Sequence, residues 1–467
     1  MRHWTYPPIQ EPALSAATAP ARAARPARRM GRWRHLGAML KVGVIGFGGG
    51  SALIPVMEKE LVGGRRLEEH EFVTDTVIAN ITPGALPPKL AALSGLQLNG
   101  SIAALAGALA VALPGTAATV ALLALFSALG PGAVSVIEAA SLGISAFILY
   151  LLAHYVVKVL APGGRLRPVP SIIAVLAFLL SGAGKTVTLG HDLADAEQGW
   201  MLPELSALGL VLAALGGIAV VTVGQMVRGS SRAAAGPAAT APGGGRGAMR
   251  AAALVSALVV VGAGLALIAV PGIETAGFLG LILVSTVSSF GGGEAYVGVA
   301  DGFFVASGIV DSSVFYGQIV PVANALPGPI LVKIAAGVSY TVGLESGSVI
   351  AGVALAAAAL LLTVGSCCAI ALMLLAGYDR ARDSIFVRNI AAYILPVICG
   401  LLASTSVSLL HASADIAEGA GVPPVWAVVG SVLFALLVPV IHRVAKVPDI
   451  VLILVFGGAS LALLSLV

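Results

Sequence analysis

Apolar runs and short polar breaks alternate along the chain in an order that occurs twice. Long apolar segments near 101–128, 133–160, 169–185 and 202–226 are answered by segments near 347–376, 384–411, 424–441 and 448–466. One further run, 251–270, stands between the two sets without a counterpart. Most of these runs reach the roughly 18–20 residues that an α-helix needs to cross the hydrocarbon core. The pattern predicts nine full spans, four, one and four. Upstream of each set lies a stretch punctuated by Gly and Pro, with apolar pieces too short to span. Such pieces read as broken or re-entrant helical hairpins, two per half. Irregular backbone at membrane depth survives only inside protein or against a water-filled cavity.

Composition narrows the class. The chain has 467 residues, 58% hydrophobic and 10% charged, with mean hydropathy +1.00. Soluble domains carry about 25% charged residues, so the expectation is an all-α polytopic membrane protein. Aromatics make up only 5% while glycine reaches 58 residues, which favours close helix packing through small side chains. Cys367, Cys368 and Cys399 lie in apolar segments and are odd in number; they read as small buried side chains, not a disulfide framework.

Charge sets the expected topology. Residues 1–35 carry seven arginines against Glu11 and read as a basic, disordered cytoplasmic arm. The segment 228–250, rich in Gly, Ala, Pro and Arg, reads as a cytoplasmic linker. Between them, 36–227 forms a first membrane repeat; after the linker come the unpaired helix 251–270 and a second repeat, 271–467. Basic loops in the first half (Lys59/Arg65/Arg66, Lys158/Arg165/Arg167) correspond to acidic or neutral ones in the second (301–311 and 411–423, with Asp301, Asp311, Asp415 and Glu418). By the positive-inside rule the N-terminus lies inside, the C-terminus outside, and the second copy is inverted. Helix 251–270 supplies the odd crossing. The high pI of about 9.0 follows from this asymmetry and calls for no nucleic-acid partner.

The candidate chemistry is duplicated too. Phe47-Gly48-Gly49-Gly50 recurs as Phe290-Gly291-Gly292-Gly293, 243 residues on. Asn80-Ile-Thr-Pro83-Gly84 recurs as Asn324-Ala-Leu-Pro327-Gly328, and Lys89 as Lys333, each 244 residues on. Glycine permits unusual backbone angles and close approach to a ligand, and proline interrupts a helix. The half-helix N-terminus after each Pro-Gly would offer N–H groups to an anion. A lysine in mid-membrane costs roughly 2.5–3.5 kcal/mol, and two at repeat-related positions point to a shared anion site; snorkelling to an interface is the structural alternative. Glu60 and Glu294 are the preferred ion-coupling acids among Glu58, Glu60, Glu71, Asp75, Glu138, Glu294 and Asp301, most of which read as solvated loop charges. His154 reads as interfacial. Ser181–Thr186 looks like a P-loop but has Leu179 where the first glycine belongs. No His, Cys or carboxylate cluster has metal-ligand spacing, and no cofactor is called for.

On these motifs the sequence resembles the chromate transporter family, in its long form with two homologous domains. The resemblance rests on GFGGGSALIPVMEKELV followed by Asn80–Ala85, and on SFGGGEAYVGVADGFFV followed by Asn324–Pro329. It covers about 36–376 and extends more loosely to the C-terminus. The departures are Lys89 and Lys333, where family members place an uncharged polar residue, Phe303 opposite Glu60, Leu67 in place of a tryptophan, and Glu294 directly after the second FGGG. The resemblance implies chromate export coupled to an ion gradient. Sulfate shares chromate's shape and charge, and the lysines keep a carboxylate or other anion open. A passive anion channel and a membrane-embedded enzyme acting on a lipid-linked substrate are the rival classes. The expected partners are a small anionic substrate, the lipid bilayer of the cytoplasmic membrane and, as an open case, a second copy in a homodimer.

Overall fold

A computed structural model of the chain describes residues 31–46, 53–63, 67–129, 131–193, 205–227, 244–290, 293–377, 385–445, 447 and 449–464. Phe47–Gly50, Gly291, Gly292, most of the basic arm and residues 228–243 of the linker lie outside them. So does the side chain of Glu294.

The described residues fold as α-helices. In the first half they are α1 (Arg32–Ile45), α2 (Leu53–Leu61), α3 (Glu69–Ile81), α4 (Leu86–Asn99), α5 (Ser101–Leu129), α6 (Pro131–Leu160), α7 (Pro168–Ser181), α8 (Ala183–Leu193) and α9 (Ala207–Val227). α10 (Gly244–Ala269) follows. The second half has α11 (Ile273–Ser288), α12 (Gly293–Ala300), which continues as a π-helical turn at Asp301–Val305, then α13 (Ser312–Val314), a second π-helical turn at Phe315–Ile319, and α14 (Val320–Ala325). It closes with α15 (Ile330–Glu345), α16 (Val349–Ala376), α17 (Ile385–Gly419), α18 (Pro424–Ala445) and α19 (Asp449–Leu464).

Six of these contain stretches long and apolar enough to span: Ser101–Leu129, Ala139–Leu160, Gly245–Ala269, Val349–Ala376, Ala392–Gly419 and Pro424–His442. α7 and α8, bent by 58° at Gly182, make a seventh. The two remaining expected spans are shorter apolar helices, Gly209–Gln225 and Val451–Leu463, and they occupy matching last places in the two repeats. All nine apolar segments are therefore helical over their described residues. Their outward faces are apolar: on α18, Trp426, Leu433, Leu436 and Val440 stand more than half exposed. An uninterrupted apolar face of that kind is stable against lipid and not against water.

Three boundaries differ from the sequence expectation. α10 begins within the segment expected to be linker, where Ala248 is buried. α17 runs through most of the expected loop 411–423, because His411, Ser413 and Asp415 find partners on neighbouring turns and on α8. Asp301 and Asp75 are not loop charges: both sit on helices and are fully buried. In the first turn of α1, where the disordered arm was expected to end, His35 is likewise buried.

The two halves are interlocked. α4 packs on α5 of its own half and on α16 of the other, while α15 packs on α16 and on α5. Further along, α6 of the first half lies against α18 and α19, and α17 of the second lies against α7, α8 and α9. Small residues set the spacing. A Cβ at Gly143 on α6 would overlap the Phe456 carbonyl of α19, and one at Gly400 on α17 would come 2.5 Å from the Ala174 carbonyl of α7. With no hydrophobic drive between helices in lipid, such close backbone approach is what holds them together.

Candidate functional site

Each half breaks at matching places. The α3–α4 break spans Thr82 to Ala85 and the α14–α15 break spans Leu326 to Pro329. Proline cannot continue the preceding helix, and the glycine after it turns the chain: Gly84 has φ 93° and Gly328 φ 98°, a region costly to any residue with a Cβ.

The backbone amides of these glycines cross between the halves. The Gly84 N–H donates to the Ser289 carbonyl at 2.6 Å, and the Gly328 N–H donates to the Gly46 carbonyl at 2.8 Å. Ser289 and Gly46 are the residues immediately before the two FGGG signatures. Each Pro-Gly break is thus docked on the entrance to the FGGG segment of the opposite half. Gly115 on α5 leaves room for this, since a Cβ there would overlap the Pro327 carbonyl.

Lys89 and Lys333 occupy the fourth positions of α4 and α15 and are each 1% exposed. Neither snorkels. The Lys89 ammonium donates to the carbonyls of Thr82 at 2.6 Å and Pro83 at 3.2 Å, and Lys333 donates to the Leu326 carbonyl at 2.5 Å. These carbonyls end the preceding half-helices, where orphan acceptors and the negative end of the helix dipole favour a cation. Among the described residues neither ammonium is ion-paired. An ammonium has three N–H donors, so among the described residues one on Lys89 and two on Lys333 have no protein acceptor.

Asn80 and Asn324 are each the penultimate residue of their helix, and each amide donates back to the carbonyl four residues earlier, Thr76 at 2.8 Å and Val320 at 2.9 Å. Asn80 is exposed and Asn324 half-buried. The halves differ in the donors that follow the break. α15 opens with the free N–H groups of Ile330, Leu331 and Val332, whereas Pro87 and Pro88 leave α4 without two of its own. Phe290 is buried and borders a cavity of about 550 Å³ with Thr82, Pro83, Leu215 and Val287. Its lining is apolar apart from two hydroxyls, a chemistry suited to hydrocarbon and not to an anion. Gly293 is buried at the start of α12.

Glu60 ties α2 to α1 through Lys41 at 2.6 Å and is partly exposed. Two acids are buried among the described residues: Asp75, which accepts from Gln97 at 2.7 Å, and Asp301, which pairs with Lys185 at 2.9 Å. Both members of that pair were passed over in the sequence, one as a loop charge and the other as part of a false P-loop. Two signals pointed to them: a lone cation in the apolar run 168–193, and the 243-residue offset of the FGGG motifs, which also aligns Glu58 with Asp301. Glu58 is exposed, so the acidic position is duplicated but its burial is not.

Comparison with known proteins agrees with this duplication. The family model described as Chromate transporter matches residues 33–190 and again 278–462. A protein of Bacillus subtilis (strain 168), named as the uncharacterized transporter YwrB, is 36% identical over 119 residues, 24% of this chain. The chain spans 60% of that relative's length. No solved structure matches. Matched once in each half and over well more than half its length, the chain belongs to the chromate transporter family, in the long form with two domains.

Proposed function

We propose that this protein is a secondary transporter that carries a small inorganic oxyanion, chromate or sulfate, out across the cytoplasmic membrane by alternating access. An ion gradient is the coupled partner. Its N-terminus lies inside and its C-terminus outside. Family membership supports the anion-transporter class.

The observation that carries the reading is the matched pair of Pro-Gly breaks. Each is docked on the opposite half and each is followed by a buried lysine with N–H donors to spare. Two buried cations at repeat-related positions are costly without a countercharge, and a dianion held between them would relieve both. The first-turn amides of α15 add donors of the kind that bind oxyanions at helix N-termini. The substrate-binding set is accordingly Lys89 and Lys333 with Pro83-Gly84, Pro327-Gly328, Asn80, Asn324 and the two FGGG segments. Rocking one repeat against the other, about the interlocked breaks, would expose this set to either side in turn.

Flux of chromate and sulfate into proteoliposomes, with and without an imposed pH gradient, tests the reading. Gradient-dependent flux that disappears in Lys89→Met/Lys333→Met is the expected result. Flux indifferent to the gradient would mean a channel, and folded protein that moves neither oxyanion would reject the substrate.

A further inference from the structure

A second polar cluster joins the two halves away from the Pro-Gly breaks. α7 and α8 meet at the Gly182 bend, where a Cβ would come 2.8 Å from the Ser404 side chain of α17. The Ser404 hydroxyl donates to the Ser181 carbonyl at 2.8 Å, satisfying an acceptor at the bend. This fixes Lys185, one turn into α8, against the second half. Its ammonium donates to Asp301 Oδ2 at 2.9 Å and to Ser408 Oγ at 2.7 Å, and Ser408 Oγ lies 3.3 Å from the same carboxylate oxygen. The Asp301 side chain is 4% exposed and that of Lys185 21%. Asp301 Oδ1 is buried with no hydrogen-bond partner. Beside the pair is a cavity of about 170 Å³, lined by the pair itself with Ser181, Ser206, Ser404 and Thr405.

We propose that this cluster is a combined proton and oxyanion site: Asp301 holds Lys185 while the cavity is empty, and takes up a proton when a small oxyanion binds the Lys185 ammonium in its place. The inference rests on the transporter reading above and deepens it. A tetrahedral oxyanion fills roughly the volume of two or three waters, well within this cavity. The ammonium is reachable from the cavity, and hydroxyl groups that rotate to donate or accept surround it. An anion binding there competes directly with the carboxylate for the same cation. A displaced, buried and unpaired carboxylate is strongly disfavoured, and a neighbouring dianion disfavours it further. The balanced step therefore converts Asp301 from carboxylate to carboxylic acid with one proton from water, as the anion takes over the ammonium.

The groups facing Asp301 leave it as the proton acceptor. From α8 there is Lys185, and from α17 Ser408. From the second π-helical turn comes Tyr316, whose hydroxyl is directed at Asp301 and Ser408 but outside hydrogen-bond geometry. Of α9 and α11, also packed here, α9 carries no charged side chain and α11 only Glu274, which is exposed in its first turn. Further along α8 and α17, Asp192 pairs with His411 at 3.1 Å, with Asp415 beside them. Lys185 comes from the first half and Asp301 and Ser408 from the second, so loading the site also undoes a tie between the repeats. A dianion travelling with one proton still carries one net negative charge, and an inside-negative membrane potential favours its exit.

The test is sulfate and chromate binding to purified, lipid-reconstituted full-length protein in weakly buffered medium, with proton uptake recorded. The wild type is expected to take up about one proton for each anion bound at this cluster, beyond any bound between Lys89 and Lys333. Asp301→Asn should bind at least as tightly with no proton uptake. Lys185→Gln should bind about tenfold or more weakly. Lys185→Gln/Asp301→Asn, which removes both buried charges and so avoids leaving either unpaired, should fold and also bind weakly. Proton uptake that persists in Asp301→Asn, or binding unchanged in the double variant, overturns this proposal alone. A wild type that binds neither oxyanion overturns the transporter reading with it.

Discussion

Replacing Gly84 with alanine tests the interlock of the two halves, and two separable terms set its cost. Gly84 has φ 93°, where an added Cβ costs roughly 1–2 kcal/mol of backbone strain. That Cβ would also overlap the Cβ of Cys367 on α16, and overpacking of a fitted core costs typically about 1–3 kcal/mol. Gly84→Ala is therefore expected to lose roughly 2–5 kcal/mol. Gly100→Ala isolates the first term, because Gly100 has φ 84° and nothing within 4 Å of its Cβ position; its loss should stay near 1–2 kcal/mol. Unfolding of both variants in detergent can be followed with a thiol-reactive dye, since Cys367, Cys368 and Cys399 are buried and free. Cys367→Gly in the Gly84→Ala background should narrow the gap between the two variants. If Gly84→Ala proves no more destabilising than Gly100→Ala, the Pro-Gly break is not wedged against α16 as described, and the reasoning fails.

Other consequences follow from single contacts. Asn389 is buried on α17 and donates to Thr222 Oγ1 at 2.9 Å and Gln225 Oε1 at 3.0 Å on α9; Asn389→Ala should cost about 1–3 kcal/mol in the same unfolding assay. The partly exposed Lys41–Glu60 pair is worth at most about 1 kcal/mol, so Glu60→Gln should leave both stability and anion-linked proton uptake near wild type. Cysteines placed at Gly63 and Ala420 in a cysteine-free background should react with impermeant maleimide from opposite sides of the membrane; labelling from one side would refute the inverted arrangement. Gly115→Ala places a Cβ on the Pro327 carbonyl and should slow oxyanion flux by at least about tenfold, read in proteoliposomes against protein of matched folded content.

Much of the architecture can be read from the order of residues alone. Apolar runs long enough to span, broken by Gly and Pro where they are not, dictate helices in lipid because no other backbone arrangement satisfies its own hydrogen bonds there. The offset of about 243 residues reveals the duplication, because repeated structure repeats its special backbone positions: both Pro-Gly pairs end a helix, and both lysines enter the next one. The single lysine in 168–193 is just as visible, but its meaning is not.

Tertiary structure alone decided the rest. Where Lys89 and Lys333 point depends on which carbonyls the breaks leave unpaired, and those belong to the preceding half-helices, seven residues back in both cases for the nearest. Docking of Gly84 on Ser289 and of Gly328 on Gly46 joins positions about 205 and 282 residues apart, beyond the reach of any local pattern. Glu58 and Asp301 hold the same place in the two repeats, yet one faces out and the other is buried against Lys185. Local sequence sets the residue and the helix it sits on. Burial and pairing depend on which distant helix packs there: α17 of its own half and α8 of the other cover Asp301, because α17 packs against α7, α8 and α9.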